Sequence, residues 1–300
     1  MSPNSNPQKV LIIGGTGKVG RHLTKLFAST NIPAYQSSRA GASTTEPNAD
    51  NIKPIAFDWF DDKTWIPVFD LGITAVYIVG PQAADMLTPT RSFIDQARLK
   101  GTKRFVLQSG SPWEANINGD GAGRPHAYLK QLGDRGEVEW AVLRPTWFQQ
   151  NFAEQPNHLN SIVDESLIYS ATADGRVPWV STMDIAACAF QLLLQDDAPN
   201  DQYLILGPEL LTYADIANTL TEVTGRKIVH KNLSAHELTE RWVGFGVPKD
   251  YGDMLSAMDT DIKNGSEDRT NSVVLALTGK QPRRFREFAL ESKDAWATRA

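Results

Sequence analysis

Thiol chemistry is nearly missing from this chain: its one cysteine, Cys188, has no partner for an internal disulfide. It falls in the apolar run Ile185-Ala186-Ala187-Cys188-Ala189-Phe190, the setting of a buried helix residue rather than of a nucleophile. Metal-ligand spacing is missing too. His22, His126, His158, His230 and His236 keep no ligand-like distance from one another or from the cysteine, so no metal site is expected. Clustered Lys and Arg are also lacking, and the formal net charge of −5 argues against a surface for nucleic acid, which needs basic groups to displace phosphate counterions. No run reaches the roughly 18 apolar residues of a membrane helix. The opening Met1-Ser2-Pro3-Asn4-Ser5-Asn6-Pro7 is polar and lacks the apolar core of a secretory signal, so it reads as a short disordered tail on a soluble, cytoplasmic protein. The charge fits a monomer or a homodimer equally, and no nucleic-acid or membrane partner is expected.

What is present is an alternation. The β-branched run Lys9–Ile13 reads as a buried strand, followed by a glycine turn and the amphipathic stretch Arg21–Phe27. Further short apolar strands are expected near Pro33–Gln36, Pro54–Phe57, Ala75–Val79, Arg104–Gln108 and Trp140–Leu143. Strands spaced by helical segments imply an α/β fold with a Rossmann-like, doubly wound parallel sheet. Beyond Arg144 helices are expected over Ile185–Leu194, Tyr213–Val223 and Ala235–Val243. The expected division is a dinucleotide-binding domain over 1–145 and a smaller, mostly helical substrate-binding cap over 146–300. The strand around Tyr203–Leu206 should return to the main sheet, which interleaves the two.

Gly14-Gly15-Thr16-Gly17-Lys18-Val19-Gly20 closes the first strand and opens the first helix, with glycine at positions one, four and seven. Glycine allows the tight reversal and the close approach of a pyrophosphate. The helix then directs unpaired N–H groups and its positive dipole end at that anion. A merely structural turn is the competing reading. The second strand ends Gln36-Ser37-Ser38-Arg39, without the carboxylate that would accept from the ribose hydroxyls of NAD(H). A guanidinium with two hydroxyls suits a 2′-phosphate, so NADP(H) is the expected cofactor. Asp58-Trp59 follows the third strand, where an adenine contact or a buried structural pair is expected. Gly80 ends the fourth strand, where the chain can pass close to the second ribose.

Together with His126-Ala127-Tyr128-Leu129 and Leu143-Arg144-Pro145-Thr146-Trp147-Phe148-Gln149-Gln150-Asn151-Phe152, the turn Gly14-Gly15-Thr16-Gly17-Lys18 resembles the NmrA-like atypical short-chain dehydrogenase/reductases. Within them it is most similar to the fungal agroclavine dehydrogenase and festuclavine synthase group, which reduces indole-alkaloid iminium ions with NADPH. The resemblance covers nearly the whole chain. It implies cofactor contacts at Gly14, Thr16, Gly17, Lys18, Val19, Ser38, Arg39, Asp58, Gly80 and Pro145, with the Pro145-Thr146-Trp147 loop beside the nicotinamide. The chain departs from the main dehydrogenase pattern in one respect: no tyrosine has a lysine four positions on, and Lys130 after Tyr128 points elsewhere on a helix. Ketone reduction through a Tyr-x-x-x-Lys dyad is therefore in doubt.

An iminium carbon needs no such acid, because hydride turns it directly into a neutral amine. An aromatic pocket would orient a bulky cation, and Trp113, Trp147 and Phe152, with Tyr128, are expected as its walls, core packing being the alternative for each. Glu114 is expected to balance a substrate cation, Ser109 to orient substrate, and His126 and Tyr128 to relay a proton where one is needed. Against these stand a solvated loop glutamate, a capping serine and a helix-opening histidine. The leading expectation is an NADPH-dependent imine or iminium reductase of indole-alkaloid metabolism. The alternatives are a cyclase of Pictet–Spengler type on the same fold and a redox-sensing regulator that binds the dinucleotide without turnover.

Overall fold

The computed structural model describes residues 8–41 and 49–297. In chain order the elements are β1 (Val10–Ile12), α1 (Gly20–Ala28), β2 (Ala34–Ser38), β3 (Ile52–Ala56), α2 (Trp65–Phe69), β4 (Ala75–Val79), α3 (Leu87–Leu99), β5 (Arg104–Gln108), α4 (Gly123–Asp134), β6 (Glu139–Pro145), α5 (Asn151–Glu154), α6 (Pro156–Asn160), β7 (Leu167–Ser170), α7 (Thr182–Leu194), β8 (Asp201–Ile205), α8 (Tyr213–Thr224), β9 (Val229–Asn232), α9 (Ala235–Gly244), α10 (Lys249–Lys263), α11 (Val273–Thr278) and α12 (Phe285–Glu291).

Seven strands form one parallel sheet in the order β3-β2-β1-β4-β5-β6-β8. The fold class is therefore the Rossmann-like α/β one. Chain direction across the sheet reverses between β1 and β4, and the crevice beyond the carboxyl ends of those strands is where such sheets take ligands. The central strands are legible as apolar runs because both faces are covered: Val10, Leu11, Ile12, Val76, Tyr77, Ile78, Phe105, Val106 and Leu107 are all buried. β3 lies at the edge with Lys53 and Pro54 exposed, a place where proline removes no ladder bond from the interior.

The chain falls into two compact units. The first takes Met1–Pro145, Thr182–Ile205 and Val273–Gly279; the second takes Thr146–Ser181, Leu206–Ser272 and Lys280–Ala300. In the first, Phe93 packs between Phe57 and Trp65, with ring centroids 5.3 and 5.7 Å away in edge-to-face geometry. The second unit is built around Phe152, fully buried and edge-on to Trp179, Tyr213 and Phe285. It also holds the parallel pair β7-β9, short strands among the helices beyond Arg144. Two of its helices, α8 and α9, start on capping boxes, Thr212 with Asp215 and Ser234 with Glu237, which satisfy free N–H groups of the first turn. No helix among the described residues is long and apolar enough to cross a membrane.

One buried cation ties the far end of the first unit together. Arg104, at the start of β5 and 7% exposed, donates to Glu139 on β6 at 2.6 Å. The same guanidinium reaches the carbonyls of Leu192 and Leu193 at 3.4 Å, and that of Gln195, where α7 ends. A positive charge there meets both the orphan carbonyls and the negative end of the helix. Arg104→Met keeps the apolar stem and strands those carbonyls and Glu139, so it is expected to lower stability by about 2 to 4 kcal/mol. Urea denaturation of the two proteins checks this, and a loss within experimental error of zero would refute it.

Candidate active site

The glycine turn is held from three sides. Ile13 N–H donates to the Tyr77 carbonyl of β4 at 2.9 Å, and Gly15 N–H to the Ser37 carbonyl of β2 at 3.1 Å. The buried Gln36 side chain returns a bond to the Gly15 carbonyl at 2.9 Å. Gly14 has φ +75, a left-handed conformation that suits glycine, and a side chain there would meet Val79 at 3.0 Å. A methyl group on Gly20 would stand 2.1 Å from the Gly14 carbonyl oxygen. α1 begins at Gly20 immediately after this cradle, with Val19 buried and Thr16 and Lys18 half-buried on the turn itself.

Beside it, Ser38 is half-buried and Arg39 exposed at the end of β2. Asp58 spends one carboxylate oxygen on the Phe60 N–H at 2.9 Å, and its carbonyl accepts from the Trp65 indole at 2.8 Å. Trp59 donates to the Val79 carbonyl at 3.0 Å and stands edge-on to Phe57 and Phe93. Both residues thus brace the ends of β3 and β4. At Gly80 a side chain would meet Met86 at 2.8 Å. Two hydroxyls near these strand ends, Thr90 Oγ1 on α3 and Ser109 Oγ after β5, are buried without a hydrogen-bond partner. Orphaned buried hydroxyls carry a desolvation cost, and a polar ligand at the strand ends removes it. The glycine cradle, the orphaned hydroxyls and the β2 end without a carboxylate fit a dinucleotide.

The segment after β5 carries several of the expected catalytic groups. Ser109 N–H donates to the Leu143 carbonyl and Ser111 N–H to that of Pro145, both at 2.8 Å, so Pro145 is buried in the strand pairing. Trp113 packs its ring against Gly110 and Gly121, where an added methyl group would approach it to 3.1 and 2.9 Å. Glu114 is exposed, and the Arg144 guanidinium reaches its carboxylate at 3.4 Å. Arg144 is itself buried, donating to the Ser111 carbonyl at 2.6 Å and to Gln202 at 2.9 Å. This arginine was passed over in the sequence, where a lone charge inside an otherwise apolar strand was the available signal.

Three of the expected residues sit in closely packed surroundings. Tyr128 lies in the first core with its hydroxyl donating to Asp95 at 2.5 Å, and burial with that carboxylate raises its pKa, the wrong direction for an acid. Burial pushes the His126 imidazole down from 6.5 to about 4, the Arg144 guanidinium adding to the shift, while the Trp113 backbone and Glu114 oppose it without prevailing. Neither ring nitrogen of His126 has a partner of hydrogen-bonding geometry. Phe152, expected at a pocket wall, is the centre of the second core because its neighbours Trp179, Tyr213 and Phe285 enclose it on all sides. Trp147 is half-buried and packs against that same core, and the neighbouring Thr146 hydroxyl donates to the buried Glu267 at 3.0 Å. Among the described residues no group of three or more His, Cys, Asp or Glu is placed to hold a metal.

A family model described as NAD(P)H-binding matches residues 14–196, from the glycine turn to the end of α7. The chain belongs to this NAD(P)H-binding family. Within the family it is 40% identical over 296 residues to festuclavine synthase II of Penicillium roqueforti, spanning 96% of this chain and 99% of the relative. It is 37% identical over 297 residues to agroclavine dehydrogenase of Claviceps purpurea, spanning 97% and 99%. Among solved structures, triphenylmethane reductase of Citrobacter sp. complexed with NADP(H) superposes with a TM-score of 0.75 at 20% identity, covering 95% of this chain and 99% of that one. An NADPH-dependent quinone oxidoreductase of Escherichia coli complexed with NADPH gives 0.77 at 18%, with the same coverage. These two share the fold. The chain is thus an oxidoreductase of the NAD(P)H-binding family, with NAD(P)H as its cofactor.

The His126 geometry makes a pH prediction. Between 6.5 and about 4 the unfolded chain holds a proton on this ring that the native chain refuses, so stability is lost as pH falls through that window. His126→Leu removes the titration. Denaturation midpoints at pH 7 and pH 4.5 should differ less in the variant than in the parent, and an equal difference would show that His126 is not held neutral.

Proposed function

We propose that this chain is an NADPH-dependent reductase of an imine or iminium carbon in indole-alkaloid biosynthesis. The carrying observation is that two of the ionisable groups expected near the ends of β5 and β6 are held elsewhere: Tyr128 by Asp95 and His126 in a neutral buried state. A carbonyl reductase must protonate a developing alkoxide, whereas an iminium takes hydride, its π pair moves onto nitrogen, and a neutral amine results with no proton transferred. The names of the relatives, festuclavine synthase and agroclavine dehydrogenase, support the substrate class.

The bound nicotinamide supplies the hydride; the chain's residues supply place and surroundings. In this reading the first unit binds the cofactor and the second recognises substrate. Gly14, Thr16, Gly17, Lys18 and Val19 hold the pyrophosphate, Ser38 and Arg39 the 2′-phosphate, and Asp58 the adenine edge. Gly80 and Pro145 leave room for the second ribose and nicotinamide, the orphaned Ser109 hydroxyl orients what lies beside it, and Trp113 forms a wall against a cationic substrate.

Mixing the protein with NADPH and a panel of indole iminium substrates tests the reaction: NADPH absorbance should fall only with substrate, and the neutral amine product should be heavier than the iminium by the one hydrogen delivered as hydride. A cyclised product with NADPH unspent would replace this reading with a cyclase, and tight NADPH binding without conversion would replace it with a sensor. The cofactor assignment has its own variant. Arg39→Ala removes a charge-assisted contact and is expected to weaken NADPH by about 10-fold to 100-fold while changing NADH by less than about twofold. Equal weakening of both, read by nucleotide fluorescence titration, would place Arg39 away from the phosphate.

A further inference from the structure

Gly14, Gly17 and Gly20 are the spaced glycines of the turn, and Gly15 is a further one that the spacing does not require. Its reason lies on β2. Gln36 is fully buried, level with Ile12 at the end of β1, and an added methyl group at Gly15 would fall 2.6 Å from its Cγ. The Gln36 side chain thus takes the space that anything larger than glycine would fill. From there its Nε2 donates to the Gly15 carbonyl at 2.9 Å.

That bond acts on a single peptide. The Gly17 N–H donates to the Gly14 carbonyl at 2.9 Å, closing a four-residue turn whose central peptide joins Gly15 to Thr16. Rotation of the central peptide is what separates the common turn types, so it is the part of a turn most readily turned over. A trans peptide carries its C=O and N–H in opposite directions. With the Gly15 carbonyl drawn to Gln36, the Thr16 N–H points away from that side chain, and among the described residues it donates to no other group. Neither Gly15 nor Thr16 has a positive φ, and the overturned peptide would demand one of Thr16, which a β-branched residue resists. Thr16 bars the full rotation, and Gln36 sets the aim.

We infer that Gln36 is a positioning residue for the cofactor: without touching the dinucleotide, it holds the Gly15 carbonyl and so aims the Thr16 N–H at the pyrophosphate. A hydrogen bond to an anion is strong when aligned and weakens steeply when it is not, so the aim decides affinity. The pyrophosphate is common to both nicotinamide dinucleotides. Gln36 therefore serves NADPH and NADH alike, in contrast to Arg39 and its 2′-phosphate. The inference rests on the placement of the pyrophosphate at this turn under the proposed function, and it is independent of the iminium chemistry.

Gln36→Met keeps the length and loses the donor. It is expected to weaken NADPH and NADH by the same factor, about fivefold to tenfold, in a fluorescence titration. In Gln36→Glu the new carboxyl donates only while protonated. Its NADP⁺ affinity relative to the parent, measured by calorimetry, should be lowest at pH 8 and recover by about threefold or more at pH 5, a profile that a role in packing alone would not give. Near-UV circular dichroism shows that both variants are folded. In protein labelled with ¹⁵N at threonine, the Thr16 amide signal is assigned by its loss in Thr16→Ser, and it should move when NADPH binds. Parental affinity of Gln36→Met for both nucleotides, or a flat ratio in Gln36→Glu, beside a Thr16 signal that moves, sinks the role of Gln36 and keeps the pyrophosphate at the turn. A Thr16 signal that stays in place with NADPH bound sinks both. Turnover of the iminium panel is read separately, and its absence removes the reductase reading while leaving Gln36 its role.

Discussion

A methyl group on Gly15 would stand 2.6 Å from the Gln36 Cγ, and one on Gly20 would be closer still to the Gly14 carbonyl. No side chain fits between β1, β2 and the start of α1, and that closeness sets the geometry of the whole carboxyl edge. Gln36 and Ser37 hold the turn from β2, Tyr77 and Val79 hold it from β4, and the strands can lie this near only because the turn is made of backbone. The crevice at the reversal of strand order is a consequence of the same contact.

Arginine bonded to backbone carbonyls is the other recurrent device, and each instance works inside its own unit. Arg104 receives the carbonyl end of α7, Arg144 fastens the segment after β5, and Arg226 bonds the carbonyls of Val163 and Trp296 in the second unit. The planar fork suits this work, because it presents several donors in fixed directions to carbonyls that helices and loops leave unmet. These guanidinium groups hold backbone in place.

How much of this was legible in the sequence depends on the kind of signal. β4 and β5 could be read to the residue because strands covered on both faces are written as unbroken apolar runs, and the glycine turn because its spacing is dictated by sterics. The short strands beyond Arg144 could be expected but not placed: β7 and β9 are four residues each, and β9 is mostly exposed. For side chains in the candidate site, type was legible and direction was not. Tyr128 falls on the expected helix, yet its partner Asp95 lies 33 positions earlier in the chain, a pairing no local pattern announces. Phe152 differs from a pocket wall only by the three aromatic rings that surround it, and those come from residues 179, 213 and 285. Arg144 was hidden by its neighbours, since an apolar strand draws attention to what surrounds the charge and not to the charge.

The way the two units share the chain bears on how such a protein can be altered by evolution or in the laboratory. The backbone passes from one to the other after Pro145, Ser181, Ile205, Ser272 and Gly279. A fragment ending at Pro145 would lack β8 and α7, leaving β6 as a raw sheet edge and Arg104 without its helix end. Recombination at a single point therefore cannot graft the second unit of one such oxidoreductase onto another. New properties of that unit have to arise by point changes within segments already threaded through the first.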